Sequence, residues 1–194
     1  MRRVSVVGGS CTGKTTVSRR LAAILGVPHI ELDALHHDPN WEEASAELLQ
    51  ERVHAAFAAS PDGWVVDGNY HHKLGLLVIN SADTVVFLDP PFATAFRRSL
   101  WRTFSRAARH VELWNGNYET SRNAFSRHSI PLWVIRTHRG MRAKWAERLV
   151  GSNVVHLRSP REVDAWLQSI QATASTSGSS SVSARQNTPP VTDT

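Results

Sequence analysis

Gly8-Gly9-Ser10-Cys11-Thr12-Gly13-Lys14-Thr15 is the stretch on which the reading of this chain turns. It satisfies the pattern G-x-x-x-x-G-K-S/T in full. Glycines let such a loop wrap until successive backbone N–H groups point inward at phosphate oxygens. The helix that follows presents its positive N-terminus to the same anion. Lys14 is placed to reach β- and γ-phosphates, and the Thr15 hydroxyl to ligate Mg²⁺. Gly8, Gly9, Ser10, Cys11, Thr12, Gly13, Lys14, Thr15 and the adjoining Thr16 are therefore the expected contacts of a nucleotide such as ATP. Cys11 fills a variable position of the loop.

The context on either side agrees with the motif. Arg3 to Val7 is Val-rich and reads as a short buried strand ending at the glycines. Thr15 to Leu25 has helical spacing (Val17, Leu21, Ile24, Leu25) and stops at Gly26, with Pro28 beyond. Further strands are predicted at His29–Leu32, Trp64–Val66, Thr84–Leu88 and Asn153–Leu157. Helices are predicted at Trp41–Ala59, Phe92 to about Arg109, Ser121 to about His138, Met141–Leu149 and Pro160–Ile170. Strands alternating with helices indicate an α/β fold: a five-stranded parallel sheet covered by helices on both faces, in three layers. Residues 1–170 make one domain. From about Ala172 to Thr194 the chain is Ser/Thr-rich, with almost no large apolar residue, and is expected to be disordered.

Composition narrows the class. Of 194 residues 41% are apolar and 20% charged, the usage of a globular protein rather than a disordered or fibrous one. The longest apolar runs, such as Val85-Val86-Phe87-Leu88, fall far short of the roughly 20 residues of a spanning helix. No membrane role is expected. The apolar run behind Arg2-Arg3 stops at Gly8, too soon for a secretory signal, and one cysteine cannot form an internal disulfide, so the cytoplasm is the expected compartment. The ten histidines show no metal-ligand spacing. His36 and His37 follow Asp33 and are candidates to line a pocket there.

Three aspartates end predicted strands: Asp33, Asp67 and Asp89. Ligands of open α/β sheets bind beyond the carboxyl ends of the strands, so all three should lie near the glycine loop. Phosphoryl transfer needs one carboxylate for the metal's water shell and another for the acceptor hydroxyl. Asp67 is the candidate for Mg²⁺, with Thr15, and Asp33 for the acceptor; Asp89, followed by Pro90-Pro91, suits a turn or cap.

Charge is unevenly spread. Between Arg97 and Arg148 twelve basic residues face three acids, so this segment carries +9 and the rest of the chain −4. An anionic partner is implied: a nucleotide's phosphates, nucleic acid or a membrane surface. Arg98, Arg102, Arg106 and Arg109 lie on one face of the predicted helix, with no acid between Pro90 and Val111 to neutralise them. Arg98, Arg102 and Arg106 are candidates to stabilise the transferring group. The region of about 98–138, with Glu112–Thr120 as a hairpin tip, is a candidate helical lid. Trp41 and Trp114 are candidates to stack on a substrate ring.

In order along the chain, Gly8–Thr15, Glu31-Leu32-Asp33, Trp64-Val65-Val66-Asp67-Gly68-Asn69-Tyr70, Ala82–Asp89, Glu112–Asn117 and Val155–Pro160 resemble segments of bacterial adenylate-kinase-like proteins of the DNA topology modulation (FlaR) type. The resemblance covers residues 1 to about 170. It implies a P-loop kinase fold with a lid, ATP and Mg²⁺ as cofactors, and a small acceptor, nucleotide, nucleoside or hydroxyl compound. It matches Arg98 and Arg102 to arginines that contact ATP in adenylate kinases. It also departs from them. Asp67-Gly68 runs into Asn69-Tyr70-His71, without the Pro-Arg that adenylate kinases have there, and Arg52 and Lys73 are the only Lys or Arg between Asp33 and Asp89. A neutral hydroxyl acceptor, as in shikimate, gluconate or nucleoside kinases, fits Asp33 at least as well as AMP. The alternatives are a nucleotide-dependent regulator that binds nucleic acid through the +9 segment, and an ATPase without acceptor.

Overall fold

A Val-rich strand with both faces apolar belongs in the middle of a sheet, and that is where β1 (Arg3–Gly8) lies. The computed structural model describes residues 1–109, 114–116 and 130–183. Five strands, β1, β2 (His29–Glu31), β3 (Trp64–Asp67), β4 (Thr84–Leu88) and β5 (Val154–Leu157), form one parallel sheet in the order β2-β3-β1-β4-β5. Residues alternate between its faces. Val4, Val6, Val86 and Leu88 pack with Val17 and Leu21 of α1 (Lys14–Leu25) and Leu167 of the last helix. Val7, Val85 and Phe87 pack on the other face with Trp145 and Leu149. A third cluster under β2 and β3 joins Ile30, Trp64 and Val66 to Leu49 and Val53 of α3 (Ala46–Ala58), with the Phe57 and Trp64 rings stacked 4.2 Å apart.

Register brings the loops of interest together. Val6 pairs with Asp67, Glu31 with Asp67, and Gly8 with Leu88. The glycine loop and the ends of β2, β3 and β4 thus share one edge of the sheet.

Several elements differ from the sequence reading. Leu32 leaves β2 and opens a short helix, α2 (Leu32–His36), which carries Asp33. The helix expected from Trp41 starts only at Ala46. Pro39–Trp41 is a 3-10 turn in which Asn40 (φ 64°) and Trp41 (φ 60°) are left-handed, which no helix can continue, and Ser45 Oγ then accepts from Leu48 N–H at 3.2 Å as the N-cap. Two short helices, α4 (His71–Leu74) and α5 (Leu77–Ser81), bridge β3 and β4. After α6 (Phe92–Arg109), the helices expected at Ser121–His138 and Met141–Leu149 appear as one, α7 (Ile130–Arg148), running through Gly140. One helical glycine costs only about 1 kcal/mol, less than burying Val134, Trp145 and Leu149 gains. Residues 121–129 lie outside the described set.

The last helix, α8 (Pro160–Ser183), runs past the expected stop at Ile170. No proline interrupts it, and Thr173 and Ser175 hydroxyls donate to the carbonyls of Ser169 and Gln171 one turn back. Residues 171–175 are exposed, so this extension rests on local hydrogen bonds. Residues 184–194 lie outside the described set. Among the described residues no helix is long and apolar enough to cross a membrane.

Candidate functional site

The loop between β1 and α1 is shaped by its own backbone. Cys11 (φ 61°) and Gly13 (φ 100°) are left-handed. Curled stretches of this kind gather N–H groups into anion-binding concavities. Thr12 Oγ1 donates to the Gly9 carbonyl at 3.0 Å and tightens the curl. Gly13 ends the loop as the N-cap of α1, and no side chain caps that helix. Its first N–H groups are therefore not satisfied by a protein cap. A Cβ on Gly13 would stand 3.1 Å from Arg98 Nη1, so the Arg98 guanidinium lies against the loop at this glycine.

The loop faces a cavity of about 1250 Å³ lined by residues 10–17, Glu31, Asp33, Asp67–Tyr70, Arg98 and Arg102, among others. Lys14 is inside it. Its Nζ donates to the carbonyls of Gly9 (2.9 Å) and Gly8 (3.3 Å), so the ammonium is folded onto its own loop. Burial pushes Lys14 below the ordinary lysine value; the carboxylates of Asp33 and Asp67 oppose that shift, and Arg102 adds to it. Thr15 and Thr16 also line the cavity, whereas Gly8 and Gly9 contribute the carbonyls behind it.

Two of the three strand-end aspartates open into this space. Asp67, the last residue of β3, is 4% exposed and has His29 Nε2 at 3.2 Å from its Oδ1. Asp33 accepts a hydrogen bond of 2.5 Å from Tyr70 Oη. Asp89 does not line the cavity. It is 5% exposed, and its Oδ2 takes Arg142 Nε at 2.8 Å and His156 Nε2 at 3.0 Å, which ties α7 and β5 to the end of β4.

The arginine face of α6 is partly in place. Arg98 Nη1 donates to the Thr12 carbonyl at 2.7 Å and braces the loop. Arg102 lines the cavity, and its buried Nε has no hydrogen-bond partner among the described residues. The side chain of Arg106 lies outside the described residues, as do the bulk of the expected lid (110–113 and 117–129) and the side chain of Trp114.

Sequence reasoning missed Asn69 and Tyr70. Asn69 Nδ2 donates to the Gly8 carbonyl at 2.6 Å, tying the β3 turn to the loop, and its buried Oδ1 has no partner among the described residues. Tyr70 buttresses Asp33; burial first, then Asp33, pushes its phenol far above the usual range. The signal was Gly68, which has φ 132° and whose Cβ would stand 2.6 Å from Leu32 Cβ. A glycine forced there by the approach of α2 fixes where Asn69 and Tyr70 emerge. His36, 2% exposed, and His37 do not line the cavity; their rings stand 4.5 Å from Tyr70 and 5.4 Å from Trp41 respectively. Trp41, 40% exposed, lines it. Asn115 Nδ2 donates to the carbonyls of His37 (2.5 Å) and Ala34 (3.2 Å), which docks the Trp114–Gly116 turn on α2.

No protein-family model matches the chain, and no curated protein matches it by sequence. Among solved structures the fold recurs in shikimate kinases. That of Bacteroides thetaiotaomicron is 16% identical with a TM-score of 0.53, the match covering 90% of this chain and 98% of that one. That of Acinetobacter baumannii, solved in complex with shikimate, is 17% identical with a TM-score of 0.53, over 91% and 94% of the two chains. At these identities the shared property is the fold, a five-stranded parallel α/β sheet of the P-loop kinase kind.

Proposed function

We propose that the protein is a kinase that transfers the γ-phosphoryl group of Mg·ATP to a hydroxyl of a small acceptor. One observation carries the reading: a single cavity is lined by Lys14, Thr15, Arg98 and Arg102 together with Asp33 and Asp67. Phosphoryl transfer needs both sets of charges, because catalysis there is positioning plus charge stabilisation.

The residues fit the group. The start of α1 and the buried Arg102 Nε, neither capped nor partnered among the described residues, and the left-handed loop offer donors to phosphate oxygens. Thr15 and Asp67 offer the hard oxygen donors that Mg²⁺ prefers. When bound, Mg·ATP supplies the phosphoryl group and the charge that neutralises its oxygens. The chain does the rest in this reading. Lys14 leaves the Gly8 and Gly9 carbonyls for phosphate oxygens. Arg98 and Arg102 offset charge on the transferring group, joined by Arg106 of the same helix. Asp67 orients the metal's water shell, and Asp33 takes the acceptor's proton. Residues of about 98–138 would close over the site and exclude water. The resemblance to adenylate-kinase-like, topology modulation proteins supports the same nucleotide chemistry. Within the +9 segment, Arg98 and Arg102 turn inward to the cavity and Arg142 to Asp89, which leaves these three to the fold and the site rather than to a duplex.

The test is ADP release with Mg·ATP over a panel of nucleosides, nucleoside monophosphates, sugar acids and shikimate. Stimulation by one acceptor supports the reading. Turnover with ATP alone, unchanged by every acceptor, would make the protein an ATPase.

A further inference from the structure

Side chains alternate along a strand, and the register of β2 on β3 pairs His29 with Val65 and Glu31 with Asp67. His29 and Glu31 therefore share one face of β2, and Asp67 stands beside them on β3. His29 Nε2 is 3.2 Å from Asp67 Oδ1. An ionised carboxylate only accepts, so in this bond Nε2 carries the proton and donates. On the other side of the ring, His29 Nδ1 lies 3.7 Å from Glu31 Oε1, and the same oxygen is ion-paired with Arg19 of α1. The imidazole thus spans two carboxylates. The chain Arg19, Glu31, His29, Asp67 runs from α1, whose first turn carries Thr15, to the end of β3.

Arg19, Glu31 and Asp67 line the cavity, whereas His29 does not. From behind the lining it acts on the site only through its neighbours. Asp67 and Asp89 are almost equally buried, yet they are partnered differently. Asp89 takes two donors, from Arg142 and His156. Among the described residues His29 is the only hydrogen-bond partner of the Asp67 carboxylate, and it holds Oδ1. A buried carboxylate with one hydrogen bond is under-supplied. The remaining demand falls on the cavity, where Lys14 acts on Asp67 electrostatically. One anchored oxygen and one open oxygen is what a carboxylate needs to orient a metal's water shell, because the anchor fixes the plane of the group.

We propose that His29 is a positioning residue for the metal carboxylate: its Nε2–H fixes Asp67 so that the metal's water shell meets a preset oxygen. This rests on the kinase reading and adds to it a residue that neither the loop motif nor the strand-end aspartates include. Glu31, itself held by Arg19, faces the ring from the other side.

The experiment is calorimetry of a non-hydrolysable ATP analogue on the full chain, once with Mg²⁺ and once with EDTA, with thermal melting of the same preparations. The ratio of the two dissociation constants is the gain that the metal brings. His29→Leu keeps bulk and removes the donor; His29→Gln keeps an N–H at similar reach. His29→Leu is expected to cut the gain about tenfold, or to none where the wild-type gain is smaller, with binding in EDTA changed by less than about twofold. His29→Gln should recover most of it. In Asp67→Ala, which has no carboxylate to position, His29→Leu should take nothing further from the gain. An undiminished gain in folded His29→Leu overturns the inference whatever the change in Tm, because His29 is then a structural contact alone. A His29→Gln variant as impaired as His29→Leu, or a second loss in the Asp67→Ala background, overturns it too. If His29→Leu does not fold, His29→Asn, polar and too short to reach Oδ1, is read by the same criteria. Wild type decides the premise first: no binding of the analogue removes the kinase reading together with this one, and equal binding with and without metal leaves nucleotide binding intact and removes the role of His29.

Discussion

Tyr70 Oη donates to Asp33 Oδ1 at 2.5 Å, so the carboxylate assigned to the acceptor is held by a side chain from the next strand's turn rather than by its own helix. Tyr70 is itself fixed, with its ring 4.5 Å from that of His36 and its chain entering from the glycine-forced turn at Gly68. The two residues act as a unit in which one bears the charge and the other its direction. Tyr70→Phe removes one oxygen and little volume. It is expected to lower kcat about tenfold while leaving the KM for ATP unchanged, because positioning alone is lost. Steady-state kinetics on the acceptor found by the ADP-release screen decides it. A rise in the ATP KM with unchanged kcat would move Tyr70 to the nucleotide side.

Lys14 should reveal itself twice. Lys14→Met is expected to reduce turnover by about a hundredfold or more, the loss typical when a preorganised charge is removed from a transition state. It should also change the stability profile. Burial lowers the native pKa of Lys14 below its ordinary 10.5, so between the lowered value and 10.5 the unfolded chain binds a proton that the native one has released. Stability must then rise with pH across that window. On the approach to pH 10.5, urea midpoints should climb with pH more for wild type than for Lys14→Met in the absence of nucleotide. Parallel curves would show that the ammonium is not strained in its loop.

His36 acts at the other end of the scale. Burial, Lys73 and His37 lower its pKa below 6.5, against the weaker pull of Glu43, and its Nδ1 has no partner among the described residues. As pH falls through 6.5 the unfolded chain takes up a proton that the native chain resists. Stability is thus lost from about pH 6.5 downward, until the lowered native pKa is passed. His36→Gln should make the acid limb of the melting curve shallower, though not flat, since His71 is shifted the same way by burial and Arg148. An unchanged slope would exclude His36.

How much of this was legible beforehand depended on whether the signal was local. The loop Gly8–Thr15 declares itself because nested N–H groups need glycine and lysine at fixed spacing, and four of the five strands followed from short Val-containing runs. Asp33 and Asp67 could be placed at the cavity because each lies at or just past the end of a strand, which is a position as well as a residue type. Tyr70 and Asn69 were not, because what they do is set by contacts with Asp33 and Gly8, 37 and 61 residues away. The late start of α3 was hidden for a different reason. Glu42 and Glu43 look like a helix's first turn, but Asn40 and Trp41 take left-handed backbone, and Ser45 is the cap. The same limit hid the fate of Asp89, whose partners Arg142 and His156 lie far along the chain.

Gly68 carries that hidden geometry and can be tested alone. At φ 132° its Cβ would stand 2.6 Å from Leu32 Cβ, and no flexible tip is there to yield. Gly68→Ala should cost about 2–4 kcal/mol from backbone strain and overpacking combined. It should also blunt activity, because Asn69 and Tyr70 leave the turn in a new direction. Urea unfolding and ADP release on the same preparation separate the two losses. Full stability would mean that Leu32 and α2 move aside freely.

Asp67 and Asp89 form a natural pair for the last experiment, since both are buried aspartates at or just beyond the ends of the two strands that flank β1, yet only Asp67 lines the cavity. Asp89 is spent on Arg142 and His156. Asp89→Asn removes the buried carboxylate that holds the half-exposed Arg142 and His156 and should destabilise the fold by about 1–3 kcal/mol, with the Mg²⁺ midpoint unmoved. Asp67→Asn keeps a hydrogen-bonding group for His29 but removes a hard anionic oxygen from the metal's surroundings. It should raise the Mg²⁺ concentration for half-maximal turnover about tenfold, the lower range for a group acting on a metal at one remove, with stability nearly unchanged. Opposite outcomes, with Asp89 governing the metal and Asp67 the fold, would mean that Arg142 releases Asp89 when nucleotide arrives and that the metal's carboxylate comes from β4 rather than β3.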